Sequence, residues 1–282
     1  MFARVPASSA NLGPGFDTLA VALALYLEVT LELADSFSVS SEGCGAGLFD
    51  DERHLGARVA TDVLGHNRFS LHVKSEIPLS RGLGSSAALA VAVAVCAGAS
   101  DALAVGTAVD GHAENAAASV LGGLVVASVH EGDGVVARAM KLDEEWRFVV
   151  VVPDEELATV DARRVLPATV PLSDAVHNLH AFGLLLAGLA DHRDYVPSAM
   201  DDYLHQPYRT ALLPFAAPLL ATLRESGAAG SCWSGAGSSM LGLATRSTAR
   251  GVAESATAFL AAKGIAGVVH VLEADRVGLV QR

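Results

Sequence analysis

Residues 78–88 read PLSRGLGSSAA. Gly82 and Gly84 flank one leucine, Ser85 and Ser86 follow, and an alanine-rich apolar run comes next. Glycines let a backbone approach an anion closely and take positive φ. A helix that starts here carries unpaired N–H groups and partial positive charge at that end. The hydroxyls add donors, and a hydroxyl is also an oxygen ligand suited to Mg²⁺. Together these features suit a phosphate group. The GxxxxGK[ST] spacing of a Walker A loop is absent, and so is the GxSxG turn of a serine nucleophile. An ordinary turn with a serine N-cap is the competing reading, and the motif alone leaves it open.

Two other stretches carry chemistry. In PASSANLGPGFD, residues 6–17, Asn11 and Asp17 stand six residues apart on a segment ruled by Gly13, Pro14 and Gly15. One amide and one carboxylate held rigidly suit an ammonium or hydroxyl group; local Asx turns explain the same residues without a ligand. DGHAEN, residues 110–115, sets Asp110, His112, Glu114 and Asn115 close together. Its carboxylates suit Mg²⁺, a hydroxyl or a cationic substrate, and equally a solvated helix cap. No second His or Cys lies at ligand spacing from His112, which argues against a transition-metal site.

These residues need elements to position them. The pattern predicts a short strand over 2–5, a loop over 6–17, a β-rich stretch from Leu19 to Ala34, a helix over 53–64 and a strand over 70–77. The glycine motif follows, with a helix from about Ser85 and another over roughly 101–109. Strand, glycine turn, helix is an α/β signature. GGLVVASV and EWRFVVVVP read as strands. Helical stretches are expected over about 172–191, 196–204, 210–226 and 247–262, and a last strand over 265–273. SCWSGAGSSMLGLA reads as a strand, a glycine turn and a second strand or helix. A domain boundary is expected near residue 150.

The 282 residues are 51% hydrophobic, 18% charged and 5% aromatic, with a formal charge of −12. Such a chain buries a sizeable core filled mainly by Ala, Val and Leu. The acidity disfavours a nucleic-acid partner, since phosphate backbones reward Lys/Arg clusters. Cys44, Cys96 and Cys232 are odd in number and lack CxxC spacing, as expected for thiols of a reducing cytosol. No signal peptide is visible, and the longest apolar run, 87–99, is too short to span a bilayer. The expectation is a soluble cytoplasmic protein without a membrane partner.

PLSRGLGSSAA resembles the phosphate loop of the GHMP kinases. PASSANLGPGFD is similar to the opening of the homoserine kinases within that superfamily, and DGHAENAAASVLGGLVV to their EGHPDN segment and following strand. DARRVLP at 161–167, DAVHNLH at 174–180 and DDYLHQPYR at 201–209 resemble the same family, and SGAGSSMLGLA at 234–244 resembles the C-terminal glycine motif of the superfamily. The matches keep their order from residue 5 to about 244.

The resemblance implies an α+β fold in two domains: an N-terminal ATP-binding domain, 1–150, like domain 2 of ribosomal protein S5, and a ferredoxin-like C-terminal domain, 151–282. It implies ATP-dependent phosphorylation of the side-chain hydroxyl of L-homoserine, a step of threonine biosynthesis. His54 and Leu55 would lie near adenine. Pro78, Arg81, Gly82, Leu83, Gly84, Ser85 and Ser86 would form the triphosphate loop, with Ser86 and Asp110 on Mg²⁺. Asn11, Asp17 and Glu114 would face the amino acid. Arg163 and Arg209 would grip its carboxylate, and Gly235 would pack against it. Thr159 would stand near the reacting hydroxyl, and Glu114, Asp17 or the phosphate itself would take the proton. A homodimer is left open.

The chain also departs from that pattern. Asp110 stands where the family usually has glutamate, and Glu114 where it usually has aspartate. Ala113 replaces a usual proline, Ser238 stands where proline is common, and His54 where asparagine is frequent. The segment from Ala99 to Asp110 is shorter than usual. Two alternatives therefore accompany the homoserine kinase reading: a GHMP kinase for another small alcohol, and a catalytically weak nucleotide-binding paralogue.

Overall fold

A computed structural model describes residues 1–132 and 134–282. The first half forms a sheet around one long strand. β2 (Leu19–Leu33) pairs antiparallel with β1 (Phe2–Ala10) along its length. Its other edge is shared: β4 (Phe69–Ser75) pairs with residues 27–33, and β5 (Leu124–His130) with residues 19–21. β3 (Ser38–Gly43) adds to β4 in parallel, and β6 (Gly134–Met140) adds to β5. α1 (Leu55–Leu64), α2 (Ser85–Cys96), α3 (Ala102–Asp110) and α4 (Glu114–Leu121) connect these strands.

Small side chains set the spacing of these layers. In α2, Ala87, Ala88, Ala90, Val91, Ala92, Val93 and Ala94 are all buried. A Cβ on Gly106 of α3 would come within 2.7 Å of Val91 and 2.9 Å of Ala116, so α2, α3 and α4 meet almost backbone to backbone. Ala113, Ala117 and Ala118 pack in the same way against Ala20, Ala22, Val125 and Ala127 of the sheet. The scarcity of aromatics is thus the condition for close helix approach, and that approach fixes Glu114 at the start of α4.

The second sheet has the order β10-β7-β9-β8 and is antiparallel throughout: β7 (Trp146–Pro153), β8 (Gly230–Trp233), β9 (Met240–Thr245) and β10 (Gly267–Leu272). β7 is buried on both faces, which explains its unbroken VVVV run. Val149 and Val151 face a core made with α8 (Ala216–Glu225) and α9 (Ala249–Lys263). Phe148, Val150 and Val152 face the main core, which also holds Leu185 and Leu189 of α6 (Leu172–Ala190) and Val5, Leu19 and Val29 of the first sheet. The two halves therefore share buried apolar side chains. β11 (Val280–Gln281) then returns to β1 and closes the free edge of the first sheet. No helix among the described residues is long and apolar enough to cross a membrane.

Several expected elements shift. The strand placed over 2–5 runs to Ala10, so only 11–18 is a loop; PASSA is strand because Pro6 sits where the β1–β2 register slips. The helix expected over 196–204 is a 3₁₀ turn, Pro197–Met200, followed by bends. Pro197 begins that turn, and Asp202 then caps α7 (Gln206–Arg209) by accepting from the N–H groups of His205 and Gln206. β3, β6 and β11 were not expected from the sequence pattern. SCWSGAGSSMLGLA resolves as strand, turn and strand.

Candidate active site

The glycine motif forms a loop followed by α2, whose N-cap Gly84 has φ 68° and offers no side-chain cap. The first N–H groups of α2 are thus left for a ligand. Both glycines are demanded by packing as well as by φ. A Cβ on Gly84 would lie 2.1 Å from Ser8 Oγ, and one on Gly82 would lie 2.1 Å from the Ser234 carbonyl. Ser234 Oγ donates to the Gly82 carbonyl at 2.7 Å, and Arg81 Nε donates to the Pro153 carbonyl at 2.8 Å. Arg81 also donates to the Asp154 carbonyl and pairs with Glu156. The loop is therefore stitched to the second half of the chain.

Beyond the loop stands DGHAEN. Asp110 ends α3, with Gly111 in the left-handed region behind it, and Glu114 opens α4. Asn115 accepts from Ser8 Oγ at 2.9 Å and donates to Asp110 Oδ2 at 3.3 Å. Burial raises the Asp110 pKa, with His112 and Asn115 opposing the shift. His112 Nδ1 lies 2.7 Å from Glu114 Oε1, a close charged contact. Burial lowers the His112 pKa, but Glu114 and Asp110 outweigh it and the net shift is upward. Glu114 is 1% exposed, and its Oε2 has no hydrogen-bond partner among the described residues. A buried carboxylate oxygen left so has the chemistry to accept a cation, an ammonium or a hydroxyl.

The third component joins residues 11–18 to the second half. Asn11, Leu12 and Asp17 all take positive φ, at 72°, 48° and 51°, a strained backbone of the kind found at binding sites. Asn11 Nδ2 donates to the Gly235 carbonyl at 2.8 Å, and its Oδ1 accepts from the Asp17 N–H at 3.0 Å. Arg163, in α5 (Thr159–Arg164), forks onto Asp17. Arg209 is 1% exposed; Nε donates to the Ala162 carbonyl, and Nη1 to the Gly235 carbonyl and to His205 Nδ1. Burial, then the neighbouring Arg163, lowers its pKa to about 10, so it stays a cation at neutral pH. Both guanidinium groups lie over the Phe16 ring, at 5.6 and 5.5 Å.

These components line one cleft of about 890 Å³ between the two halves. It gathers Asn11, Asp17, Leu55, Gly82, Leu83, Gly84, Ser85 and Ser86 from the first half, together with Asp110 and Glu114. Thr159, Arg163, Arg209 and Gly235 come from the second. His54, Pro78 and Arg81 are not on its wall. His54 caps α1 instead: Nδ1 accepts from the Gly56 N–H at 3.1 Å, and Nε2 meets Ser41 Oγ at 3.2 Å. The sequence reading missed Ser8, Phe16 and His205, and also Arg58 and Asp62, which line the cleft along with apolar side chains of α1 and α3. His205 carried a signal, standing four residues before Arg209 at the start of a short helix. Ser8 carried none, because its role depends on β1 passing under Gly84.

The donor set suits a hard cation: one exposed hydroxyl, Ser86, and one largely buried carboxylate, Asp110, whose charge burial disfavours until a cation joins it. Uncapped helix N–H groups, a glycine loop, acids and arginines lining one cleft can hold a phosphorylated donor against a small zwitterion.

A cleft built this way, between a mixed first sheet and an antiparallel second one, is that of a GHMP kinase, a phosphotransferase with the two-domain fold of that superfamily. Family models agree: GHMP kinases N terminal domain matches residues 53–130, and GHMP kinases C terminal matches residues 175–262. The homoserine kinase of Desulfitobacterium hafniense is 36% identical over 291 residues, covering 98% of this chain and 97% of that protein. That of Mycolicibacterium smegmatis is 39% identical, covering 86% and 84%. A crystal structure of homoserine kinase from Cytophaga hutchinsonii superposes with a TM-score of 0.85 at 27% identity, covering 99% of this chain and 96% of that one. The chain belongs to the homoserine kinase family.

Proposed function

We propose that this cleft transfers the γ-phosphoryl group of ATP to the side-chain hydroxyl of L-homoserine, giving O-phospho-L-homoserine and ADP, a step of threonine biosynthesis in the cytoplasm. The observation that carries the reading is the pairing of opposite charges around one space: Glu114 with its open Oε2 and Asp17 on the first half, Arg163 and Arg209 on the second. Homoserine is a zwitterion with a primary hydroxyl, so it needs both kinds of group at once. The planar forks of the arginines suit its carboxylate.

In this reading the N–H groups at the start of α2 and the hydroxyls of Ser85 and Ser86 hold the phosphates. Ser86 and Asp110 would hold Mg²⁺, which neutralises phosphate oxygens when bound. Asp17 takes the ammonium, and Thr159 borders the reacting hydroxyl. The hydroxyl oxygen bonds to the γ-phosphorus as the bond to ADP breaks, and its proton passes to Glu114 Oε2. Phosphoryl transfer asks mainly for alignment and charge neutralisation, so a strongly basic group is not required.

The test is the identity of the product. ³¹P NMR of the purified protein with Mg²⁺–ATP and L-homoserine is expected to show a phosphomonoester growing in step with ADP. ADP formation at the same rate without homoserine, or no new phosphomonoester, contradicts the proposal.

A further inference from the structure

Arg209 has only donors, so the nitrogen that receives its Nη1 hydrogen bond must carry a lone pair. That nitrogen is His205 Nδ1, 3.0 Å away. The imidazole proton then sits on Nε2, which donates to the Gly13 carbonyl at 2.9 Å. The ring is 0% exposed and stacks on Phe16 with centroids 5.0 Å apart, and Phe16 carries both arginines over its ring. Asp202 Oδ2 lies 3.3 Å from Nε2 but also takes the His205 and Gln206 N–H groups, so it caps α7. Burial lowers the His205 pKa, which agrees with a neutral ring. Arg209 Nε and Nη1 are committed to the protein, and Nη2 has no protein hydrogen bond among the described residues.

We infer that His205 is a positioning residue for substrate binding: it fixes the Arg209 fork on one side and the 11–17 loop on the other, and so sets the distance between the cationic and anionic halves of the amino-acid site. His205 hydrogen-bonds both elements directly, since Gly13 belongs to the loop that carries Asn11 and Asp17 and Arg209 to the second half of the chain; the Gly235 carbonyl, which accepts from Asn11 Nδ2 and Arg209 Nη1, and the Arg163–Asp17 fork brace the same seam. The geometry leaves Arg209 one free face, and that face belongs to the carboxylate of the acceptor. The inference rests on the homoserine reading above.

Three substitutions separate the two bonds. His205→Asn keeps an acceptor near the Nδ1 position and loses the donor to Gly13. His205→Gln keeps a donor near Nε2 and loses the acceptor for Arg209. His205→Leu loses both. Loss of a hydrogen bond to a charged group predicts an apparent homoserine KM raised roughly tenfold in Leu and Gln, with Asn recovering much of it. The KM for ATP should stay within about twofold. With 3-aminopropan-1-ol, which has the hydroxyl and ammonium but no carboxylate, His205→Gln, which keeps the donor to the Gly13 carbonyl, should lose far less than it does with homoserine.

Equal losses for ATP and homoserine, equal losses in Gln with and without the carboxylate, or no gain from Asn over Leu overturns the positioning role. Circular dichroism melts accompany each variant, and the Asn and Gln pair decides the matter if Leu does not fold. If the unmodified enzyme does not turn over homoserine, the functional reading falls and this inference with it. If it does and the variants are alike, only the role of His205 falls.

Discussion

Asp17 and Arg163 hold each other across the cleft by two parallel bonds, Nη2 to Oδ1 at 2.6 Å and Nη1 to Oδ2 at 2.9 Å. They are the groups proposed for the two charged ends of the amino acid. In the free protein each therefore serves as the other's stand-in for substrate. A zwitterion inserted between them gives both a new partner. A ligand with one charge leaves the other residue unpaired, so under the proposed roles the pair would select for amino acids over simple alcohols.

Arg163→Lys tests that reading. Both partners are more than a third exposed, so the pair contributes little to stability, under about 1 kcal/mol. The substrate effect is larger, because lysine cannot form a fork. The homoserine KM is expected to rise roughly tenfold, while the melting curve hardly moves. Steady-state kinetics beside a thermal melt check this; a large drop in Tm with unchanged KM contradicts it.

The glycine loop predicts a contrast among glycines. Gly84→Ala brings a Cβ to 2.1 Å from Ser8 Oγ and 3.1 Å from Asn115 Oδ1, and should cost about 1–3 kcal/mol and most of the activity. Gly47→Ala shares the positive φ, 72°, but meets nothing within 4 Å. It should cost at most about 1 kcal/mol and leave turnover unchanged. Urea unfolding and turnover on the two variants suffice.

Asp110 predicts opposed effects on stability and activity. Burial raises its pKa. A raised carboxyl pKa means the folded state gains from the protonated form at low pH and loses that gain as pH rises through the folded value. Asp110→Asn removes the buried charge, so the nucleotide-free protein should melt at a higher temperature at pH 7 than the unmodified protein. Mg²⁺-dependent turnover should fall at least tenfold. A less stable, fully active variant contradicts the assignment.

His205 gives the pH dependence its opposite sign. Burial lowers the imidazole pKa, with Asp202 and Asp17 opposing and Arg209 adding to the shift. Its contribution to stability is complete above the unfolded value of about 6.5 and is lost as pH falls toward the folded value. Stability measured from pH 7 down to 4 should decline in the unmodified protein and decline less steeply in His205→Asn.

Much of this site was legible as residue types. Gly82, Gly84, Ser85 and Ser86 read as a glycine turn before a helix, and α2 does begin at Ser85. Less legible was what each side chain does once folded. Asn11 commits its amide to Gly235 and Asp17, and Arg81 holds Pro153 and Asp154 rather than the cleft. His54 caps α1. The Gly235 partner of Asn11 lies 224 residues away and the Pro153 and Asp154 partners of Arg81 lie 72 and 73 away, so no local pattern encodes them. The helix expected over 196–204 failed for a local reason: Pro197 and the Asp202 cap break it. β11 failed for lack of length, since two residues carry no periodicity.

The most direct measurement is a coupled ADP-release assay with Mg²⁺–ATP and a panel of L-homoserine, L-serine, L-threonine, mevalonate and galactose. The account predicts a kcat/KM for homoserine at least a hundredfold above any other acceptor, since only homoserine offers a zwitterion and a hydroxyl at the required reach. Turnover led by mevalonate or galactose, or ATP binding without turnover on any of the five, would contradict it.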